Sequence, residues 1–220
     1  EPLMRRPPLI IMMARWPGIG RGKTRLAATA SPVIAANFQW HSITALIKRF
    51  GDDKRWDLTL ALTPKATWRR ARRHRLTSGA RLIDQGSGDL GTRMTRLFRH
   101  YGTPARPVII IGSDTPHVSQ VDILSASRAL TRHDLVFGPA EDGGYWLIGW
   151  SGRRISHHRQ GFPPLTQVRW STEHALVDTQ VSLKRHCSND PKIILLRHRI
   201  DVDNASDLQA TGPVRRVCAR

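Results

Sequence analysis

Val108-Ile109-Ile110-Ile111-Gly112-Ser113-Asp114-Thr115-Pro116 is an apolar run that stops at a glycine, a serine and an acid. A run of this length without polar alternation predicts a strand buried on both faces. Fully buried strands belong to largely parallel sheets covered by helices on either side. In such sheets ligands bind beyond the carboxyl ends of the strands, which is where Asp114 falls.

Upstream, Leu9-Ile10-Ile11-Met12-Met13-Ala14 reads as a first buried strand, and a loop with Pro17, Gly18, Gly20 and Gly22 follows it. Ile43, Leu46, Ile47 and Phe50 recur at helical spacing, with Gly51 as a stop. Residues 58–62 read as a second strand, followed by a basic helix and a short strand at 80–83. Asp89 is placed to cap a helix whose apolar stripe is Leu90, Met94, Leu97, Phe98 and Tyr101.

Downstream, Ser119 and Asp122 form a capping box for the next helix. Strands are expected at 135–137 and 145–150, on either side of Asp142-Gly143-Gly144. A looser stretch at 151–167, rich in Arg, His and Pro, precedes a helix starting near Ser171-Thr172-Glu173. Residues 193–196 read as a late strand, and Asp201-Val202-Asp203 precedes a last short helix. No repeat or long linker divides the chain. One α/β domain is expected over residues 1–212, a central, mostly parallel mixed sheet with helices on both faces, then a frayed tail at 213–220.

The chain has 220 residues, 40% hydrophobic and 24% charged, enough to bury a core. No apolar stretch approaches the roughly 20 residues of a membrane helix, and no signal-peptide region opens the chain, so a cytoplasmic protein is expected. Cys187 and Cys218 suit reduced thiols better than a disulfide framework. A formal net charge of +18 attracts polyanions, including nucleotides. The densest run, Arg69, Arg70, Arg72, Arg73, His74 and Arg75, reads as a solvated helix face. It lacks the aromatic or zinc-finger companions of a nucleic-acid binder.

Four constellations carry chemistry. In the first, the loop from Arg15 to Leu26 brings Arg15, Arg21, Lys23 and Arg25 beyond a buried strand, which favours an anion site. It is not a P-loop: Pro17 stands where that motif needs its first glycine. In the second, Asp114 is an acid at a strand end, costly to bury without a partner such as Mg²⁺. In the third, Glu141-Asp142-Gly143-Gly144 offers either a hairpin turn or a close approach to a ligand, with Asp142 as a candidate base. In the fourth, Asp201 and Asp203 are two apart and so point the same way in an extended segment, where one could add a second carboxylate.

These blocks together resemble the nucleotide-diphospho-sugar transferase superfamily, whose Rossmann-like fold is called GT-A. Within it the chain is similar to a bacterial family of transferases that carry the glycosyltransferase label. The residues that carry the likeness are Ala14-Arg15, Pro17, Gly20 and Lys23-Thr24-Arg25-Leu26-Ala27, then Gly88-Asp89-Leu90-Gly91 with Arg93-Met94. Gly112 to Pro116, Gly138-Pro139-Ala140 with Asp142 to Tyr145, Trp170-Ser171-Thr172, and Asp201-Val202-Asp203 complete it. Asn204-Ala205 follows where the family usually has Thr-Pro.

The resemblance implies that Asp114 and Asp203 hold Mg²⁺ or Mn²⁺ and that Lys23, with Arg15 beside it, neutralises donor phosphate. It also implies that the loop from Gln85 to Gly91 faces the base or ribose. Ala14, Arg15, Gly20, Lys23, Arg25, Gln85, Asp89, Gly91 and Arg93 then form the nucleotide site. Glu141, Asp142, Gly143, Gly144 and Tyr145 form the acceptor site, and Lys23, Asp114 and Asp142 are the catalytic candidates. Trp146 and Trp150 could line an acceptor pocket or a homodimer contact, with core packing the default.

Two reactions fit such a site. In glycosyl transfer an acceptor hydroxyl attacks the sugar of a nucleotide sugar, and Asp142 or Glu141 serves as base. In nucleotidyl transfer an acceptor phosphate attacks a nucleoside triphosphate and pyrophosphate leaves. Lys23-Thr24-Arg25-Leu26 resembles phospholactate guanylyltransferases, which favours the second; the family label favours the first, and glycosyl transfer to a small acceptor is the leading expectation. A non-catalytic nucleic-acid binder would leave Asp114, Asp142 and Asp203 without purpose, since carboxylates repel phosphate.

Overall fold

The computed structural model describes residues 6–19, 24–77, 80–157 and 161–199. Gly20, Arg21, Gly22, Lys23, Asp201, Asp203, Cys218 and the expected tail lie outside these residues. The strands are β1 (Leu9–Arg15), β2 (Asp57–Thr63), β3 (Arg81–Ile83), β4 (Val108–Gly112), β5 (Leu135–Pro139), β6 (Tyr145–Trp150) and β7 (Ile193–Leu195). The helices are α1 (Thr24–Thr29), α2 (Pro32–Phe50), α3 (Trp68–Arg73), α4 (Leu90–Tyr101), α5 (Gln120–Ala129) and α6 (Ala175–His186).

The strands form one seven-stranded sheet in the order β3-β2-β1-β4-β6-β5-β7. β6 runs antiparallel to both its neighbours, and the other pairs are parallel. β1 and β4 sit in the middle. Ile10 and Met12 enter one core with Ile43 and Leu46 of α2 and Ile123 of α5. Leu9 and Ile11 enter the other with Met94, Leu97 and Phe98 of α4 and Leu183 of α6. Alternate residues of one strand thus feed both layers, which is why these strands carry no polar positions ahead of the rim residue Arg15. Each fully buried Ile or Leu contributes roughly 1.5–3 kcal/mol.

Helix ends follow local chemistry. Ser31 accepts from Ile34 N–H at 3.1 Å, Pro32 opens α2, and Gly51 N–H closes it on Ile47 O. Asp89 accepts from Thr92 N–H at 2.8 Å to start α4. Ser119 and Asp122 form the expected capping box of α5.

Two expectations need adjustment, and two others are met. Leu90 is 42% exposed and is not part of the α4 stripe. The inward position of that first turn is Gly91, whose missing side chain leaves room for Trp170 Cζ2 and the Leu165 carbonyl. The helix expected at Ser171 begins at Ala175, after turns that include Ser171 at a positive φ of 63°. The basic helix is short, Trp68–Arg73, and Arg69, Arg70, Arg72 and Arg73 are all exposed, as a solvated face requires. Trp146 and Trp150 are both core residues, 2% and 1% exposed.

Candidate functional site

The topology puts three strand ends on one rim. β1 and β4 are parallel neighbours paired as far as Met13 and Gly112, so Arg15 and Asp114 each lie two residues past that last pair. β5 is antiparallel to β6, and β6 to β4, so the turn after β5 returns to the same edge. Arg15, Asp114 and the turn at Glu141–Gly144 therefore share the carboxyl rim.

Asp114 is half-buried, with Ser113 Oγ 3.4 Å from its Oδ1. The segment that carries it is pinned from beneath. Ser42 of α2 donates its hydroxyl to the Ser113 carbonyl. Arg49 Nη1 donates to the carbonyls of Pro116 and Val118, each at 2.6 Å. Buried Asp122 accepts from Ser119 N–H and Oγ at 2.7 Å, from Arg197 Nε at 2.9 Å and from Arg199 Nη2 at 2.5 Å. Burial alone would raise the Asp122 pKa, but the Ser119 and arginine contacts outweigh it and hold the carboxyl below its ordinary range. Burial, aided by the charges of Arg49 and Arg199, keeps His117 below the usual histidine value. Arg49, His117 and Arg199 were not singled out in sequence, because their partners lie on other elements and leave no local pattern.

The loop between β3 and α4 is also built from its own side chains. Gln85 is buried and donates from Nε2 to the carbonyls of Ala14 and Ala61, at 2.9 and 2.6 Å. Arg93 donates to the Gly88 carbonyl at 2.8 Å and reaches Gln85 Oε1 at 3.4 Å. The exposed Asp89 carboxyl is held low in pKa chiefly by its hydrogen bonds with Thr92. Gln85, Asp89, Gly91 and Arg93 thus form one scaffold beside the end of β1. Of Arg25 only its place in α1 is described, and Gly20 and Lys23 lie outside the described residues.

The turn between β5 and β6 is a hairpin. Ala140 N–H donates to Gly144 O, and Asp142 Oδ1 accepts from Gly144 N–H at 2.9 Å. Gly143 has φ 79°, and a Cβ there would lie 2.1 Å from the Glu173 carbonyl. Its own carbonyl accepts from Leu176 N–H at 3.1 Å. The close approach that Gly143 permits is to this chain's own segment before α6. Glu141 and Asp142 remain exposed on the rim. Tyr145 turns its hydroxyl to Thr179 of α6, 3.3 Å away, and burial pushes its phenol well above the ordinary range.

A carboxylate and a hydroxyl together, Asp114 with Ser113, are the oxygen donors that a hard divalent cation takes. Among the described residues no three His, Cys, Asp or Glu side chains gather as a ready-made metal cluster. Asp203, the expected second ligand, lies outside those residues. No helix among them is long and apolar enough to cross a membrane.

Comparison with known proteins agrees with this architecture. A candidate nucleotide-diphospho-sugar transferase from Desulfovibrio desulfuricans G20 is 25% identical, with a TM-score of 0.78 over 92% of this chain and 85% of that one. Two more solved structures share the fold. The 4-diphosphocytidyl-2C-methyl-D-erythritol synthase of Anaerococcus prevotii DSM 20548 is 13% identical, with a TM-score of 0.55 over 96% of each chain. The CMP:2-keto-3-deoxy-manno-octonic acid synthetase, solved with CTP, is 12% identical, with a TM-score of 0.54 over 96% of this chain and 98% of that one. A search of curated proteins finds no match. The fold is thus that of nucleotide-sugar transferase-like structures, and the family model that matches residues 46–172 shows that the chain belongs to the DUF2064 family of uncharacterized proteins conserved in bacteria.

Proposed function

We propose that this protein is a metal-dependent transferase that takes a nucleotide sugar as donor and passes the sugar to a small acceptor. The observation that carries the reading is the shared rim: Arg15, Asp114 and the exposed carboxylates Glu141 and Asp142 stand at neighbouring strand ends of one sheet. Cations suit the donor phosphates, and acids suit a metal and an acceptor proton.

Lys23 and Arg15 bind the diphosphate, and the scaffold of Gln85, Asp89, Gly91 and Arg93 shapes the place for base and ribose. Asp114, with Asp203, would hold Mg²⁺ or Mn²⁺, which would supply neutralisation of the diphosphate's charge. Asp142 takes the acceptor proton, with Glu141 beside it. The hydrogen bond from Gly144 N–H orients the Asp142 carboxylate through Oδ1 and so aims its other oxygen. Gly143, by packing on Glu173, holds that turn against α6.

A second reading is nucleotidyl transfer, favoured by the likeness of Lys23-Thr24-Arg25-Leu26 to phospholactate guanylyltransferases. The two are separated by a thermal-shift screen of nucleotide sugars and nucleoside triphosphates with and without Mg²⁺ or Mn²⁺. A nucleotide sugar that raises Tm only with metal, followed by release of nucleoside diphosphate, supports glycosyl transfer. A triphosphate preferred over every sugar donor, with pyrophosphate released, replaces it by the second reading. No metal-dependent stabilisation by any nucleotide overturns both.

A further inference from the structure

On the face of the sheet away from α2, a cavity of about 510 Å³ opens between α4 and the segment around residue 165. That volume is in the range of small-molecule sites. Its polar lining is Thr92, Thr95, Arg96, Arg99, His100 and Thr166, with no acid among the described residues that line it. Such a lining is rich in hydrogen-bond donors and positive charge.

Two observations separate this cavity from an ordinary basic surface. Arg99 donates through Nε to the Phe162 carbonyl at 2.9 Å, yet its Nη2 is buried with no hydrogen-bond partner among the described residues. A guanidinium nitrogen left in that state is costly, and an anionic oxygen is its natural complement. Partial burial also lowers the pKa of Arg99. Second, Arg96 is shared between the cavity and the loop before α4. It donates to the carbonyls of Gln85 and Ser87, at 2.8 and 3.1 Å. Gly86, at φ 76°, lets that guanidinium lie flush on the loop, since a Cβ there would fall 1.8 Å from Arg96 Nη1.

We propose that this cavity is a second ligand site, distinct from the carboxyl rim, and that it takes a phosphate-bearing small molecule. The phosphate oxygens meet the Arg99 guanidinium and His100, with Thr92 and Thr166 at the mouth. Arg96 gives the bound ligand a lever on the loop from Gln85 to Gly91. That the lever reaches a donor site rests on the transferase reading above; the binding itself does not.

The test titrates the full chain with inorganic pyrophosphate at fixed ionic strength, with a chelator present to remove divalent metal, and follows backbone amide resonances. Saturable shifts are expected at Thr92, Thr95, Arg96, Arg99, His100 and Thr166, with Gly86 and Ser87 moving alongside. Arg99→Gln is expected to weaken binding about tenfold or more, and Lys23→Ala to leave it unchanged. Because Arg99 also supports the Phe162 carbonyl, Thr166→Glu provides a second variant: it places a carboxylate at an exposed position of the mouth and should abolish binding with Tm retained. Shifts confined to the rim, no saturable shift, or wild-type affinity in Thr166→Glu overturns the site.

Discussion

Gln85 donates its side-chain amide to the main-chain carbonyl of Ala14 at 2.9 Å, across 71 positions of sequence. The same nitrogen reaches Ala61 O at 2.6 Å. One buried carboxamide therefore ties the loop that leads into α4 to the ends of β1 and β2. Gln85→Leu removes the donor and leaves two carbonyls without it. A loss of about 2–4 kcal/mol is expected, read from the denaturant midpoint. A loss under about 0.5 kcal/mol would mean that water replaces the amide and that the strap is dispensable.

Gly91→Ala tests a case where two rules oppose. Alanine in a helix is ordinarily favoured over glycine by up to about 1 kcal/mol. Here a Cβ would lie 2.7 Å from Trp170 Cζ2 and 2.8 Å from the Leu165 carbonyl. Overpacking is expected to win, with a net loss of about 1–3 kcal/mol. A stabilised variant in thermal unfolding would show that the segment carrying Leu165 and Trp170 moves aside freely.

Asp122 predicts the acid limit of the fold. Its folded pKa is depressed, so its contribution is complete above the unfolded carboxyl value and is lost as pH falls through the folded one. Stability should therefore hold above roughly pH 4 and fall below it. Asp122→Ala should cost about 3 kcal/mol near neutrality, because Arg199 loses its buried partner and α5 loses its capping box. The variant should also lose part of the acid sensitivity. An unchanged pH profile of the unfolding midpoint in Asp122→Ala would reject this account.

Asp114→Asn separates chemistry from folding. The Ser42 and Arg49 contacts hold the main chain of this segment and do not need the carboxylate. Melting temperature without ligand should stay within a few degrees of wild type. The metal-dependent gain with nucleotide should vanish and turnover should fall by about 10² or more. Full response to metal and nucleotide in this variant would remove Asp114 from the site.

Gly143→Ala connects the hairpin to catalysis. The positive φ and the 2.1 Å approach to the Glu173 carbonyl both oppose a side chain. A loss of about 2–4 kcal/mol is expected from strain and displacement together. Proposed acceptor turnover should fall even at temperatures where the variant is fully folded. Wild-type turnover there would show that the position of Asp142 does not depend on the contact with α6.

Much of this protein is legible locally. The buried runs at Leu9 and Val108, the caps at Asp89 and Ser119, and the stop at Gly51 each follow from short-range chemistry in neighbouring residues, and the alternation of strands and helices specifies a mostly parallel sheet. What remained open was how distant residues meet. Whether Gly143 serves a ligand or the chain itself, why Leu90 faces outward, and which partner holds Gln85, Arg49 or Arg99 depend on contacts between segments far apart in sequence. A periodic pattern records which face of an element is buried; it does not record what lies against that face. Only packing the two layers onto the sheet decided those partners, whereas the rim that gathers Arg15, Asp114 and Asp142 already follows from strands that end on one edge of a mostly parallel sheet.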